Sequence, residues 1–354
     1  MQCIAQRSPV ESRHCPATVM RTLCSLVRSP SSAFPLTVLA RGTEGNYMRK
    51  LSLVGVAGLF LFSLSACSSS SETTDTTVAV ETASYPVTVG DLTLESQPMR
   101  IVSLSPSATE MLYAIGAGAQ VVAVDDYSNY PAEAAALGTN LSGFEPNVEA
   151  IAGFTPDLVV IAYDPSNLVE QLNALSIPVF IASAAVSIDN VYEQIEQLGV
   201  LTGHAAESLQ LSSQLQADIQ AAVAGITMPT EPLSYYHELD NTLYSVTSNT
   251  FIGQVYALFG LRNIADNVEA GNDYPQLSAE VIVSADPDLI FLADTKCCNE
   301  TAETVAARDG WGGLKAVTNN RVIELDDDIP SRWGPRLIEF VNAIRDALAL
   351  VSAG

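Results

Sequence analysis

Positive charge is scarce in this chain: 16 lysines and arginines stand against 40 aspartates and glutamates. Seven of the 16 and two of the 40 fall within the first 66 residues, so the remainder holds 16 − 7 = 9 basic and 40 − 2 = 38 acidic residues, a net charge of −29. Such a surface has nothing to neutralise a phosphate backbone, which excludes nucleic acid as a partner. It also disfavours a strongly anionic cargo and suits solubility in a salty medium. The common signatures of catalysis are missing as well. There is no Cys-x-x-Cys, no glycine-rich phosphate loop after the first strand, no His-Glu-x-x-His and no nucleophile elbow. No catalytic residue, bound cofactor or metal-ligand set is therefore expected. Long hydrophobic runs are absent too: the apolar stretch Leu51 to Ala66 is too short for a comfortable membrane span.

That stretch has another use. Residues 1–47 mix arginine, serine and three cysteines without periodicity, and are read as an over-extended gene start. From Met48, Arg49 and Lys50 form a basic n-region, and the apolar run ends in small residues, as in a signal peptide over residues 48–66. Leu64-Ser65-Ala66-Cys67 resembles the lipobox of bacterial lipoproteins. The resemblance implies cleavage before Cys67 and acylation of its thiol, with each buried methylene adding about 0.8 kcal/mol of anchoring. The Ser/Thr-rich remainder of residues 67–84 reads as a flexible tether.

Beyond it, one motif occurs twice. Val148 to Val160 reads VEAIAGFTPDLVV and Ala279 to Phe291 reads AEVIVSADPDLIF, so Glu149 and Glu280 begin matching segments 280 − 149 = 131 residues apart. In each, a short amphipathic helix is cut by proline and passes into an apolar run suited to a buried strand. Two α/β lobes follow from the repeat, each with a mainly parallel sheet flanked by helices, and a cleft between lobes is a common place for a small ligand. We divide the chain into a first lobe (85–187), a helical spine (188–229) and a second lobe (230–354).

Within the first lobe, Arg100 to Leu104 and Val121 to Val124 read as strands around a helix that starts at Ser105-Pro106 and stops at Gly116. Ser107 with Glu110 fits a capping box. Leu158 to Ala162, Leu168 to Leu175 and Val179 to Ile181 continue the strand–helix–strand pattern. After a break near Thr202-Gly203, His204 to Gly225 is read as one long helix joining the lobes, about 33 Å long. In the second lobe Tyr244 to Val246 and Arg321 to Leu325 read as strands, and Leu337 to Leu350 as the closing helix.

The short motifs SLSP (103–106), YSNYP (127–131), NVE (147–149), both Pro-Asp-Leu segments, YPQLS (274–278) and GPR (334–336) recur in order from about residue 99 to the end. In this order and spacing the chain resembles the substrate-binding proteins of bacterial ABC importers, in the helical-spine (class III) group that carries cobalamin, haem and iron-siderophores. It sits closest to the cobalamin branch. The resemblance implies a monomeric lipoprotein on the extracytoplasmic face of the membrane that hands a corrinoid or iron chelate to permease subunits driven by an ATPase. It implies permease docking through Glu149 and Glu280, and ligand contact by Tyr127, Tyr130, Phe144, Tyr163, Tyr236, Tyr274 and Arg332. Phe144, Tyr163 and Tyr274 stand at positions that resemble tryptophans of characterised cobalamin binders, so the cargo stays open between cobalamin, haem and an iron-siderophore.

Cys297 and Cys298 are adjacent in an exported chain, which points to a strained vicinal disulfide, with free buried thiols or an intermolecular link as alternatives. A thiol oxidoreductase built on this pair is the rival from a different class, and a purely adhesive surface protein is a weaker one. His204 is expected to open the spine helix. His237 follows the strand Ser234-Tyr235-Tyr236, where a cleft-facing imidazole could ligate a metal chelate but a satisfied histidine is the plainer reading.

Overall fold

The computed structural model describes residues 84–226 and 230–352. The leader, Cys67 and the tether as far as Ala83 lie outside the described residues. Among those described, no helix is long and apolar enough to cross a membrane.

A small antiparallel hairpin, β1 (Val87–Val89) with β2 (Leu92–Leu94), precedes the first lobe. The lobe is a parallel sheet in the order β4-β3-β5-β6, formed by β3 (Ile101–Leu104), β4 (Val121–Val124), β5 (Leu158–Ile161) and β6 (Val179–Ile181). Its helices are α1 (Pro106–Ala114), α2 (Ala132–Ala135), α3 (Val148–Gly153) and α4 (Leu168–Ala174). β3 and β5 are buried along their whole length, as strands covered on both faces must be. Ser105 caps α1 by accepting from the Ala108 amide at 3.3 Å, and Gly116 follows its end at φ 90°, as the sequence predicts. The capping box does not form. The Glu110 carboxylate turns instead toward arginines of the second lobe.

The connection between lobes holds the long helix predicted from His204 to Gly225, with a shorter helix packed against it before the expected break. α5 (Ile188–Thr202) and α6 (Ala205–Ala224) form a hairpin, folded at Gly203 in the left-handed region (φ 80°). The 20 residues of α6 span ~30 Å. The two helices approach so closely that a Cβ added to Gly199 would lie 1.9 Å from Ser208 Oγ.

The second lobe repeats the plan with parallel order β10-β9-β7-β8, from β7 (Ser234–Glu238), β8 (Arg262–Asn263), β9 (Leu289–Leu292) and β10 (Val322–Glu324). Its helices are α7 (Phe251–Ala257), α8 (Ala279–Ala285), α9 (Ala302–Ala306), α10 (Lys315–Thr318), α11 (Asp328–Ser331) and α12 (Leu337–Ser352). Tyr244 to Val246 is not a strand: Tyr244 pairs with Gln276 as an isolated bridge rather than in a ladder. The cause is local, since Asp240 Oδ1 accepts from the Thr242 amide and hydroxyl and bends the chain back, so that the Leu239 amide donates to Tyr244 O.

Three apolar clusters layer the described residues. One covers the outer face of the first sheet, where Val102, Val159 and Ile161 meet Ile151, Leu168 and Leu172. Another covers the outer face of the second sheet, where Tyr236, Ile290 and Leu292 meet Ile282, Val305 and Trp311. The largest lies between the sheets. It joins Ile101 and Val160 of one sheet, Tyr235 and Phe291 of the other, and Met111, Ile195, Leu215, Tyr256 and Phe340 of the intervening helices. The lobes are thus two halves of one compact unit with a common helical layer, rather than separable bodies.

His237 belongs to that layer and does not face a cleft. It is fully buried, with Nδ1 2.8 Å from the Tyr256 hydroxyl and its ring against Phe340. Burial pushes its pKa down from 6.5 to about 3. The neutral ring therefore favours the folded state fully above about pH 6.5, and that contribution is lost as pH falls toward 3. In urea unfolding, His237→Gln is expected to lose less stability than the unaltered protein between about pH 7 and about pH 5; equal losses would contradict the assignment. Gly199→Ala, by contrast, forces α5 away from α6 and should lower stability by ~1–3 kcal/mol at any pH, read from the same curves.

Candidate functional site

The carboxyl ends of the first sheet carry three rings that sequence separates. Tyr127 follows β4, Tyr163 follows β5, and Phe144 lies in the loop leading to α3. Tyr127 and Phe144 meet edge to face with centroids 5.5 Å apart, and Phe144 lies 6.4 Å from Tyr163. Tyr127 is 47% exposed and the other two are half-buried, so the three form a wall open to solvent. Outside the carboxyl ends of strands is where open α/β sheets bind ligands. Beneath the wall lies a polar chain. Ser128 donates to Asp125, Thr109 Oγ1 is 2.9 Å from Ser128 Oγ, and Thr109 donates to Ser103 Oγ at 2.8 Å. Burial pushes the Asp125 carboxyl up to about 6, against the opposing bond from Ser128.

Arg332 does not reach for a ligand. It is 7% exposed and fully engaged: Nη1 donates to Glu110 Oε1 at 2.8 Å, and Nη2 donates to Asp328 Oδ1 at 2.8 Å and to Tyr127 O at 3.0 Å. Arg336 completes the clasp, with Nε 2.9 Å from Glu110 Oε2 and Nη2 2.5 Å from Oε1. Its guanidinium carbon sits 4.1 Å from the Tyr130 ring centroid. One buried carboxylate of the first lobe thus holds two cations of the second. Burial pushes Asp328 up, but Arg332, Asn129 and Lys296 together draw it below the usual carboxylate range. A groove of about 850 Å³ opens beside the clasp, lined by Tyr113, Tyr130, Leu137, Arg336 and Glu339. It takes in Tyr130 but not Tyr127, Phe144 or Tyr163, so the predicted first-lobe rings fall in two places.

In the second lobe the placement differs from the sequence reading. Tyr236 is fully buried on the outer face of its sheet, edge-on to Trp311 with centroids 6.1 Å apart, so it offers no surface to a ligand. The period-two alternation explains this: in β7, Tyr235 and His237 face the shared layer, and Tyr236 must face away. Tyr274 is half-buried and packs on the shared core. The vicinal disulfide is not formed: Cys298 carries a free thiol, its Sγ 2.9 Å from that of Cys297, and burial pushes that thiol up to about 11. Such a thiol is protonated at neutral pH and a poor nucleophile.

At the carboxyl ends of β7 and β9 sits a group the sequence reading passed over. Arg308 forks onto Glu238, Nη1 to Oε2 at 2.7 Å and Nη2 to Oε1 at 2.5 Å, and reaches Glu300 at 2.9 Å. Asp294 is fully buried, with no partner for either carboxylate oxygen among the described residues. Burial, with Glu238 beside it, pushes Asp294 up to about 9, and burial also raises Glu238, opposed there by the bonds from Arg308. The available signal was positional: each acid closes an apolar strand, in SYYHE and in LIFLAD.

The two repeat acids occupy identical local positions. Asn147 caps α3 by accepting from Ala150 N, Ser278 caps α8 by accepting from Val281 N, and Glu149 and Glu280 each stand two residues after the cap, exposed. Hydrogen bonds from its own backbone amide and from Ser278 hold Glu280 below the usual carboxylate range. Each helix runs back into the strand after it, so both acids lie toward the carboxyl edge of their sheets.

The pattern of the periplasmic binding protein family matches residues 101–329. A cobalamin-binding protein of Halobacterium salinarum is 39% identical over 271 residues, covering 72% of each chain. An uncharacterised ABC transporter substrate-binding lipoprotein of Bacillus subtilis is 30% identical over 299 residues, covering 80% of this chain and 92% of its own. Among solved structures, the periplasmic vitamin B12 binding protein of Vibrio cholerae superposes with a TM-score of 0.62 at 25% identity, over 73% of this chain and 99% of its own. This chain belongs to the periplasmic binding protein family.

Proposed function

We propose that this protein is the extracytoplasmic solute-binding component of an ABC importer, and that it captures a corrinoid, cobalamin foremost, against the Tyr127–Phe144–Tyr163 wall. That wall is the observation that carries the reading. A broad, amide-fringed, weakly charged ring system needs aromatic faces and few ions. The Halobacterium relative named for cobalamin supports the cargo, and the Bacillus lipoprotein supports an anchor at Cys67 on the outer face of the membrane. In this reading the chain acts as a monomer and catalyses nothing. Energy comes from an ATPase coupled to the permease, and the permease meets Glu149 and Glu280 through arginines, since carboxylate and guanidinium form short, often bidentate bonds. Arg332 and Arg336 are already committed to Glu110, which disfavours an anionic iron-siderophore. Haem is the remaining rival cargo.

Titration with cyanocobalamin, haemin and a ferric chelate, followed by visible absorption, is expected to show saturable binding of the corrinoid alone. Saturation by haemin instead would replace the proposed cargo. Tyr127→Ala and Phe144→Ala should each weaken corrinoid binding about tenfold, while Tyr236→Phe should leave it unchanged. For docking, the double substitution Glu149→Ala with Glu280→Ala should leave that affinity intact and abolish corrinoid uptake in cells; normal uptake would remove the docking role.

A further inference from the structure

The loop that carries Tyr127 and Tyr130 is held from both lobes. From its own side, Ser128 is buried and bonded to Asp125 and Thr109. From the second lobe come three separate contacts to three neighbouring residues. Arg332 Nη2 donates to Tyr127 O at 3.0 Å, Asn129 Nδ2 donates to Asp328 Oδ2 at 3.1 Å, and the Arg336 guanidinium lies over the Tyr130 ring. Arg332 links all of this to the clasp through Glu110 Oε1 and Asp328 Oδ1. Lys296 then ties Asp328 to the loop beyond β9, its Nζ 3.1 Å from Asp328 Oδ2.

The aromatic side chains at stake are exposed, Tyr127 at 47% and Tyr130 at 45%, so their own packing does little to fix them. Their backbone and neighbours must do so. A guanidinium offers several donors in one rigid plane, which lets Arg332 fix a carbonyl, a carboxylate of its own helix and a carboxylate of the opposite lobe together. A loop whose first carbonyl, middle amide side chain and last ring are each gripped by the other lobe takes its position from that lobe.

We infer that Arg332 and Asp328 are positioning residues for the ligand wall: without touching cargo, they set where Tyr127 stands relative to Phe144. This deepens the proposed function and rests on it for the word ligand, but the mechanical half stands on the geometry alone.

The test has two arms. In the first, amide hydrogen exchange is followed in the unliganded full chain. Arg332→Gln leaves Glu110 paired with Arg336, so the fold is expected to persist. Exchange over residues 125–131 should speed up about tenfold or more, with β3 and β5 unchanged. Asn129→Ala, which removes one bond to Asp328 and leaves Glu110, Arg332 and Arg336 in place, should raise it less and in the same segment. Unaltered exchange over 125–131 in both variants overturns the inference. In the second arm, cyanocobalamin affinity is measured for Arg332→Gln and Tyr127→Ala singly and together. A positioning role predicts about a tenfold loss from Arg332→Gln in the unaltered background and almost none once the Tyr127 ring is gone. Additive losses would overturn it and mark Arg332 as a contact or a general stabiliser. If the unaltered protein does not bind cyanocobalamin at all, the functional reading fails and the exchange arm alone decides the positioning.

Discussion

A single carboxylate inside the protein, that of Glu110, accepts hydrogen bonds from two arginines that belong to the other half of the chain. Taking these ions out of water is costly, and the arrangement holds because the guanidinium forks and the extra acceptors at Asp328 and Tyr127 satisfy them. Removing one partner from such a buried set costs about 3–5 kcal/mol, mostly because the remaining charge is stranded. Its value is geometric. An apolar layer joins the sheets without specifying an angular register between them, whereas directional bonds between α1 and the segment that opens α12 do specify one.

The rest of the candidate site is arranged around that register. The first lobe contributes rings at the ends of β4 and β5, and the second contributes the residues that hold one of those loops. The second lobe's own strand ends carry a proton-bearing carboxyl, Asp294, beside Glu238, which shares the single cation Arg308 with Glu300. In a protein this acidic, three of the few arginines, Arg308, Arg332 and Arg336, are committed to the buried carboxylates Glu238 and Glu110.

Much of the architecture was legible in sequence because it rests on short-range rules. Val179 to Ile181 and Val121 to Val124 are strands with the predicted bounds, the cap at Ser105 forms, and the repeated Pro-Asp-Leu segments end helices and open central strands in both sheets. What escaped is what depends on distant partners. Glu110 looks like a capping residue because Ser107 stands three residues earlier; only the arrival of residues 332–336 reveals its purpose. Tyr236 looks like a cleft residue by position along the strand, yet pleat parity turns it to the outer layer. Tyr244 to Val246 has strand-like side chains, but the turn at Asp240 folds it against the end of β7 before it can pair. The helical hairpin was half visible: the break at Gly203 is plain, while the reversal of direction depends on Gly199 admitting Ser208.

The helical slab shared by both sheets has a mechanical consequence. With Tyr256, Phe340 and Ile195 packed into one continuous interior, swinging the halves apart would expose apolar surface to water. Under the proposed function, Glu149 and Glu280 would then be like prongs on a moulded plug, with their spacing set by the shared layer rather than by cargo. On the proposed docking, a permease would then tell a loaded receptor from a vacant one by the rim of whatever protrudes between the two acids, not by their separation.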